Sequence, residues 1–192
     1  MSQLEQALIA VVRFLDEHRV PYMVIGGIAN ILWGIPRTTL DVDLTIWIPD
    51  EKIPEFVREV GERFSCRPPG DPVAFSRETR VLPIETKEGV GVDIVFGQLL
   101  FEQEAIERAA KQVIQGVEVR VCQPEDLILH KLTSEREKDR QDVRGIILQQ
   151  HKRLDRKYLD AQIKFLAQGM DRLDIQTWYE QCLKEAGEAK TR

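Results

Sequence analysis

Two stretches of the sequence alternate between hydrophobic and polar residues, which is the pattern of a strand with one buried face. One covers residues 41–48, where Asp41 and Asp43 occupy polar positions. The other covers residues 90–96, where Asp93 is a polar position. Because side chains alternate between the faces of a strand, Asp41 and Asp43 are predicted to project to the same side.

The remaining hydrophobic positions predict further helices and strands. Apolar residues at helical spacing predict helices over residues 3–18, 28–33, 53–65 and 101–115, and over every segment from Pro124 onward. Short apolar runs predict strands over residues 22–25 and 117–122, with one or two weaker strands in 73–86. In the last predicted helix, the apolar spacing indicates a packing surface rather than a base-stacking platform, formed by Ile175, Trp178, Tyr179, Cys182 and Leu183.

Strands are concentrated in the first two thirds of the chain and helices in the last third. This order predicts an α/β (α+β) fold with a mixed sheet flanked by helices, over residues 1–123, followed by a helical C-terminal segment, 124–192. The sequence contains no internal repeat or low-complexity linker.

Composition and charge narrow the expected class of protein. The chain has 192 residues, of which 43% are hydrophobic and 31% charged, as in an ordinary globular protein. The formal charge is -5 at pH 7, so binding to a polyanion would need a local basic patch. The beginning of the chain lacks the pattern of a signal peptide, and no apolar run is long enough to span a bilayer. We therefore expect a cytoplasmic protein with no membrane partner.

The two aspartates of the first alternating stretch suit a metal site. Carboxylates at positions i and i+2 of a strand lie close enough to bind one hard cation, Mg²⁺ or Mn²⁺, or to bridge two. Asp93 would join Asp41 and Asp43 if its strand is their neighbour in the sheet. Two cations can support in-line displacement at a triphosphate, with pyrophosphate as the leaving group.

Gly26 and Gly27 lie between a predicted strand and a predicted helix. A tight glycine turn at the start of a helix lets backbone N–H groups approach a phosphate closely. A glycine pair alone is usually only a turn, and an isolated Asp-x-Asp is common on solvated strands. Their combination, with thirteen residues between Gly27 and Asp41, favours a nucleoside-triphosphate site.

This combination resembles the signature of the nucleotidyltransferase (polymerase beta-like) superfamily. The resemblance is carried by Gly26-Gly27, by Arg37-Thr38-Thr39 and by Asp41-Val-Asp43. With the later Lys131-Leu and Asp139-Arg-Gln-Asp142, the sequence is similar to the AbiEii-type branch, which includes toxins of toxin–antitoxin systems. The resemblance extends from about residue 20 to residue 145.

The resemblance implies a nucleotidyltransferase fold and a role for each matching residue. Metal binding and catalysis are implied for Asp41, Asp43 and Asp93. Nucleotide binding is implied for Gly26, Gly27, Arg37, Thr39, Lys131, Asp139 and Asp142. One position departs from the superfamily, because the second glycine is often Ser or Thr there, whereas Gly27 offers only its backbone. For residues 135–144, an ordinary solvated helix surface with internal salt bridges is an equally good interpretation.

The expected activity is transfer of a nucleoside monophosphate from a nucleoside triphosphate, such as ATP, to a hydroxyl group. The acceptor would be tRNA, a protein or a small molecule. An alternative is a catalytically silent nucleotide-binding or regulatory module with the same fold. A further possibility is the toxin of a two-gene module, with an antitoxin protein as its partner.

Overall fold

The computed structural model describes residues 1–134 and 136–189. In this part of the chain the helices are α1 (Gln3–Glu17), α2 (Gly26–Trp33), α3 (Ile53–Arg63), α4 (Pro72–Thr79), α5 (Leu100–Glu107), α6 (Pro124–Leu132), α7 (Glu137–Gln150), α8 (Arg156–Gly169) and α9 (Asp174–Ala189). The strands are β1 (Tyr22–Val24), β2 (Val42–Ile46), β3 (Ser65–Cys66), β4 (Val81–Glu85), β5 (Gly91–Phe96), β6 (Ala110–Ile114) and β7 (Val117–Val121). Glu135 and residues 190–192, which belong to the predicted helical segment, lie outside the described residues.

The described strands form one mixed sheet in the order β3-β4-β5-β2-β1-β7-β6. The pairs β2–β5 and β1–β7 are parallel, and the other neighbours are antiparallel. A mixed sheet flanked by helices confirms the predicted fold class. Among the described residues, no helix is both long and apolar enough to cross a membrane.

The chain divides into two compact units. The first contains residues Met1–Ile28 and Thr38–Cys122, and the second contains Ala29–Arg37 and Gln123–Arg192. The sequence predicted a single boundary near residue 123, whereas in the structure residues 29–37 group with the C-terminal helices. Helix α2 therefore begins in the first unit and ends in the second.

The first unit is built around the sheet. Alternate residues of β2 and β5 are fully or almost fully buried, as the period of two predicted: Val42, Leu44, Ile46, Val92, Ile94 and Phe96. Helix α1 adds a buried row with helical spacing, and the ring of Phe14 packs against Phe56 and Phe64. The ring of Phe56 also meets Phe96 edge to face, with centroids 5.9 Å apart.

The described residues of the second unit are mostly helical, with a loop after α2 and short loops between the later helices. Buried apolar residues from α6, α7, α8 and α9 form its core, among them Leu127, Ile128, Val143, Ile146, Leu159, Ile163, Ile175 and Tyr179. This agrees with the helical periodicity predicted from Pro124 onward.

Of the one or two weak strands predicted in residues 73–86, the structure contains one, β4, and the first half of this stretch is helix α4. Helix α4 begins after Asp71, whose side chain accepts the N–H of Ala74 at 2.8 Å, and Pro72 occupies the first turn. Val73 and Phe75 are only partly buried, and Ser76 is the buried residue of this helix. The capping residue and the proline were the better signals.

The predicted helix over residues 101–115 was also wrong in its second half. The helix ends at Glu107, and residues 110–114 form strand β6, which pairs with β7 through a two-residue turn. Gln115 and Gly116 have φ values of 51° and 79°, which is the conformation of a tight hairpin turn. Glutamine is unusual at such a position, so the sequence did not indicate a turn here.

Because helix α4 depends on its cap, we expect Asp71→Ala to lower the free energy of unfolding by about 1 kcal/mol. The substitution leaves the N–H of Ala74 without its side-chain acceptor. Urea denaturation monitored by circular dichroism measures the change. Asp71→Ser serves as the control, because serine also caps helices, and an equal loss in both variants would contradict the capping role.

Candidate active site

Two glycines shape the turn between β1 and α2. Gly26 adopts a left-handed conformation with a φ of 63°, and a Cβ atom at this position would overlap the carboxylate of Asp43. A Cβ atom on Gly27 would overlap the hydroxyl group of Thr39. Only glycine combines this backbone conformation with such a close approach. Asp43 and Thr39 therefore lie directly against the start of helix α2.

Hydrogen bonds hold these residues in place. The N–H of Ile25 donates to the carbonyl of Asp43 at 2.9 Å. The N–H of Gly27 donates to Oδ2 of Asp43 over a longer distance, 3.4 Å. The hydroxyl of Thr39 donates to the carbonyl of Asp41 at 3.3 Å. The Asp43 carboxylate thus faces the N-terminus of α2, where unpaired N–H groups and the helix dipole favour negative charge.

The parallel pairing of β2 and β5 sets Asp43 directly opposite Asp93. The two strands are adjacent, which is the condition under which Asp93 was expected to join the other carboxylates. Both aspartates occupy positions between buried apolar residues of their strands, so they share the opposite surface of the sheet.

Asp41 lies just before β2 and also approaches β5. A Cβ atom built on Gly91 would be 2.9 Å from Oδ1 of Asp41 and 3.4 Å from Nη1 of Arg67. The absence of a side chain at Gly91 therefore leaves room for a carboxylate and a guanidinium next to the start of β5.

The charges around Asp93 shift its titration. Partial burial raises the pKa of Asp93, the negative charges of Asp43 and Asp41 raise it further, and the positive charge of Arg67 opposes them. The repulsion shows that the three carboxylates act on one another. A nearby cation would relieve it.

Arg67 is a residue of this group that sequence reasoning missed. Its N–H donates to the carbonyl of Pro83 at 2.9 Å, and Pro83 is paired with Asp93 in the sheet. The side chain of Arg67 also contacts Glu85 at 3.5 Å. Its placement follows from the pairing of the short strand β3 with β4, which no local pattern in the sequence indicated.

None of the three aspartates forms an ion pair with a lysine, arginine or histidine in the described part of the chain. In the same residues, no group of three or more His, Cys, Asp or Glu side chains is arranged to hold a metal ion by itself. In the described residues, the three aspartates are therefore carboxylates without ion pairs, with the charge of Arg67 nearby, and do not form a complete metal cage.

The other predicted site residues form a second group, which lies within the second unit. The Nζ of Lys131 donates to Asp139 at 2.9 Å and to Asp142 at 2.6 Å. Arg37 donates to both carboxylate oxygens of Asp142, each at 2.8 Å. Arg136 donates to Asp139 at 2.6 Å.

This second group is buried and internally paired. Lys131, Asp139 and Asp142 are 6%, 2% and 5% exposed. Burial acts to raise the pKa of Asp142, but hydrogen bonds from Arg37 and Lys131, with their positive charges, outweigh it and leave that pKa lowered. The pKa of Asp139 is lowered in the same way, against burial, by Ser134, Lys131 and Arg136. A solvated helix surface does not describe these two aspartates.

The structure thus brings the predicted residues together in two groups. One group, in the first unit, consists of Gly26, Gly27, Thr39, Asp41, Asp43 and Asp93. The other, in the second unit, consists of Arg37, Lys131, Asp139 and Asp142.

Solved structures with a similar fold are nucleotidyltransferases. An antigenic nucleotidyltransferase-like protein from Paracoccidioides brasiliensis aligns at a TM-score of 0.54 and 17% identity, over 93% of this chain and 92% of that one. The lincosamide antibiotic adenylyltransferase LnuA, with lincomycin bound, aligns at 0.51 and 12%, over 74% and 95%. ANT(2'')-Ia in complex with adenylyl-2''-tobramycin aligns at 0.53 and 16%, over 96% and 99%. At these identities the similarity shows the fold alone.

No curated protein matches the sequence. A family model described as nucleotidyl transferase of unknown function (DUF2204) matches residues 4–173. Because the match covers most of the sequence, the chain belongs to this family of nucleotidyl transferases.

Proposed function

We propose that this protein transfers a nucleoside monophosphate from a nucleoside triphosphate to a hydroxyl group, at the site formed by Asp41, Asp43 and Asp93. The observation that carries the proposal is the alignment of Asp43 opposite Asp93, beside the N-terminus of α2. Carboxylates and a helix N-terminus are the two elements that a metal-bound triphosphate needs.

The residues present fit a divalent cation, Mg²⁺ or Mn²⁺. Their carboxylate oxygens are hard ligands, and they form no ion pair within the described chain. Burial and the negative charges of Asp43 and Asp41 raise the pKa of Asp93, although Arg67 opposes them. Magnesium commonly takes only one or two carboxylates from the protein and completes its coordination with water and substrate phosphates. The absence of a full protein cage is therefore compatible with this assignment. When bound, the cation supplies positive charge that neutralises the triphosphate and favours loss of the proton from the acceptor hydroxyl.

The residues of the chain then have distinct tasks in the transfer. The N–H groups at the start of α2 bind phosphate oxygens, and Gly26 and Gly27 allow the close approach. The acceptor oxygen attacks the α-phosphorus and forms a new P–O bond. The bond between the α-phosphorus and the bridging oxygen breaks, and pyrophosphate leaves with the electron pair. Asp93, opposite Asp43, takes the proton of the hydroxyl.

Among the four residues of the second group, Arg37 is the most accessible, with 34% of its side chain exposed. The other three satisfy one another in the interior. We therefore assign nucleotide contact to Arg37, whose guanidinium is held by Asp142. Lys131 in turn joins Asp142 to Asp139. This refines the nucleotide-binding role that the resemblance implied for all four.

The fold neighbours support transfer of an adenylyl group in particular, because one is an adenylyltransferase and another is bound to an adenylylated aminoglycoside. ATP is accordingly the first triphosphate to test. The similarity to AbiEii-type proteins supports a toxin with an antitoxin partner, for which growth arrest on expression, relieved by a neighbouring gene, is the test.

Loss of either central carboxylate should abolish most of the transfer. We expect Asp43→Asn and Asp93→Asn each to lower the rate about 100-fold or more, because the first removes a cation ligand and the second also removes the proton acceptor. The measurement is transfer of label from α-labelled triphosphates, with Mg²⁺ and a mixture of RNA, protein and small-molecule acceptors. Asp16→Asn, at an exposed position of α1, is the matched control. Equal transfer by wild type and Asp43→Asn would refute the assignment.

Lys131 should be essential for stability. We expect Lys131→Met to lower the free energy of unfolding by about 3–5 kcal/mol, because it leaves buried carboxylates without a counter-charge. Urea denaturation at neutral pH measures this loss. Lys138→Met, at an exposed position of the following helix α7, provides the comparison and should change stability little. A small effect at Lys131 would show that its buried ion pairs do not support the fold.

The lowered pKa of Asp142 predicts an acid-dependent contribution to stability. A group whose pKa is lower in the folded state stabilises the fold above its ordinary pKa, about 3.9, and loses this effect as the pH falls through the lowered value. Wild type should therefore exceed Asp142→Asn in unfolding free energy near neutral pH, and the difference should shrink in acid. Urea denaturation of both proteins over a pH series measures this difference. A difference that does not change with pH would contradict the prediction.

A further inference from the structure

Two arginines of α7 lie against one tryptophan of α9, and all three belong to the second unit. The Cζ atoms of Arg140 and Arg144 are 5.8 Å and 5.7 Å from the ring centroid of Trp178. Tyr179 and Ile175 are buried, as the predicted packing surface required, but Trp178 is only partly buried. It therefore also contributes to the surface, where it meets the two guanidinium groups.

These two arginines carry positive charge without a directly paired carboxylate in the described residues. Neither Arg140 nor Arg144 has an ion pair within residues 1–134 and 136–189. The acidic residue Asp174 lines a surface depression together with Arg140 and Trp178, and Arg172 already holds it through two hydrogen bonds of 2.8 Å. Arg144 also interacts with the thiol of Cys182, and the charge of Arg140 acts on Asp174. Because a guanidinium has five N–H donors, both groups keep donors that can bind an anion.

Stacking on an aromatic ring suits an arginine for binding phosphate. A guanidinium that lies against a ring keeps its N–H donors at its edge, where they can bind two oxygens of one phosphate. The ring also limits the conformations of the side chain, so less entropy is lost on binding. Arg140 and Arg144 are separated by one helical turn, about 6 Å along the axis of α7.

The positive row extends one further turn to Arg136, whose side chain is 67% exposed. Its partner Asp139 is buried and is shared with Lys131. The buried carboxylates of Asp139 and Asp142 are already paired with three cations, Arg37, Lys131 and Arg136, so they do not cancel the charge of Arg140 and Arg144. The whole chain has a formal charge of -5, so this positively charged row differs in sign from the protein as a whole.

We propose that Arg140, Arg144 and Trp178 form a binding surface for the phosphate backbone of single-stranded RNA. Positively charged side chains next to aromatic rings are the combination that binds single-stranded nucleic acid. The choice of RNA as the ligand rests on the proposed function, because RNA carries ribose hydroxyl groups that can accept a nucleotidyl group. An acidic protein segment would match the charge but would not by itself supply a ribose.

The direct test is binding of a short, unstructured, fluorescein-labelled RNA to the full chain, measured by fluorescence anisotropy at increasing KCl concentration without nucleotide. We expect Arg140→Gln/Arg144→Gln to weaken binding about tenfold at moderate salt. The slope of log K against log salt should become less steep by about 1.4, since each phosphate contact on a single strand contributes about 0.7. The double variant Arg13→Gln/Arg58→Gln, at exposed positions of α1 and α3, has the same net charge and should bind like wild type.

Further variants separate binding from a structural role. Arg140→Lys/Arg144→Lys keeps the charge but removes the planar donors, and intermediate affinity with a wild-type melting temperature is expected. Unchanged RNA affinity in the glutamine variant, with only its melting temperature lowered, would show that the stack merely joins α7 to α9 and would overturn the proposal. Tighter binding of an oligoglutamate peptide than of RNA would also overturn it.

The binding assay needs no turnover, so it tests the RNA-binding surface separately from the proposed nucleotidyl transfer. Pyrophosphate release, measured separately, reports on Asp43 and Asp93. Arginine-dependent RNA binding without pyrophosphate release would support this surface and refute nucleotidyl transfer. Pyrophosphate release together with RNA binding that does not depend on the arginines would support nucleotidyl transfer and refute this surface.

Discussion

The parallel register between β2 and β5 is the constraint on which the candidate site depends. It places Asp43 opposite Asp93, and a shift of one residue would turn one of these side chains toward the buried core. The register is fixed by the apolar residues on either side of each aspartate, because they fill the core of the first unit. The packing that stabilises the sheet thus also holds two negatively charged side chains close together, although they repel each other.

The carboxylates of the two groups have opposite electrostatic surroundings. In the first unit, the aspartates face one another with Arg67 as the one opposing charge identified, and the pKa of Asp93 is raised. In the second unit, Asp139 and Asp142 are surrounded by donors, and their pKa values are lowered. An acidic group left without partners is ready to receive a cation, whereas one with all its partners contributes to the fold. The same residue type therefore indicates a ligand in one place and internal structure in the other.

The sequence predicted those features that depend on local pattern. Alternation located Asp43 and Asp93 on their strands, and the two glycines located the turn before α2. Arg67 was not predictable in this way, because its position depends on the pairing of β3 with β4, which are distant from β2 in the chain. The hairpin at Gln115 and Gly116 was missed because glutamine rarely occupies a left-handed turn position. Burial of the charged residues in α7 also depends on the surrounding helices rather than on spacing.

The close approach of Thr39 to Gly27 has a consequence for how this site can vary in evolution. Since the hydroxyl of Thr39 occupies the space where a side chain at position 27 would begin, the two positions compete for the same volume. A homologue with serine at position 27 would need a smaller residue at position 39, or a different path of the loop that carries it. The two positions are therefore expected to change together, and each arrangement would leave one hydroxyl group at the start of α2.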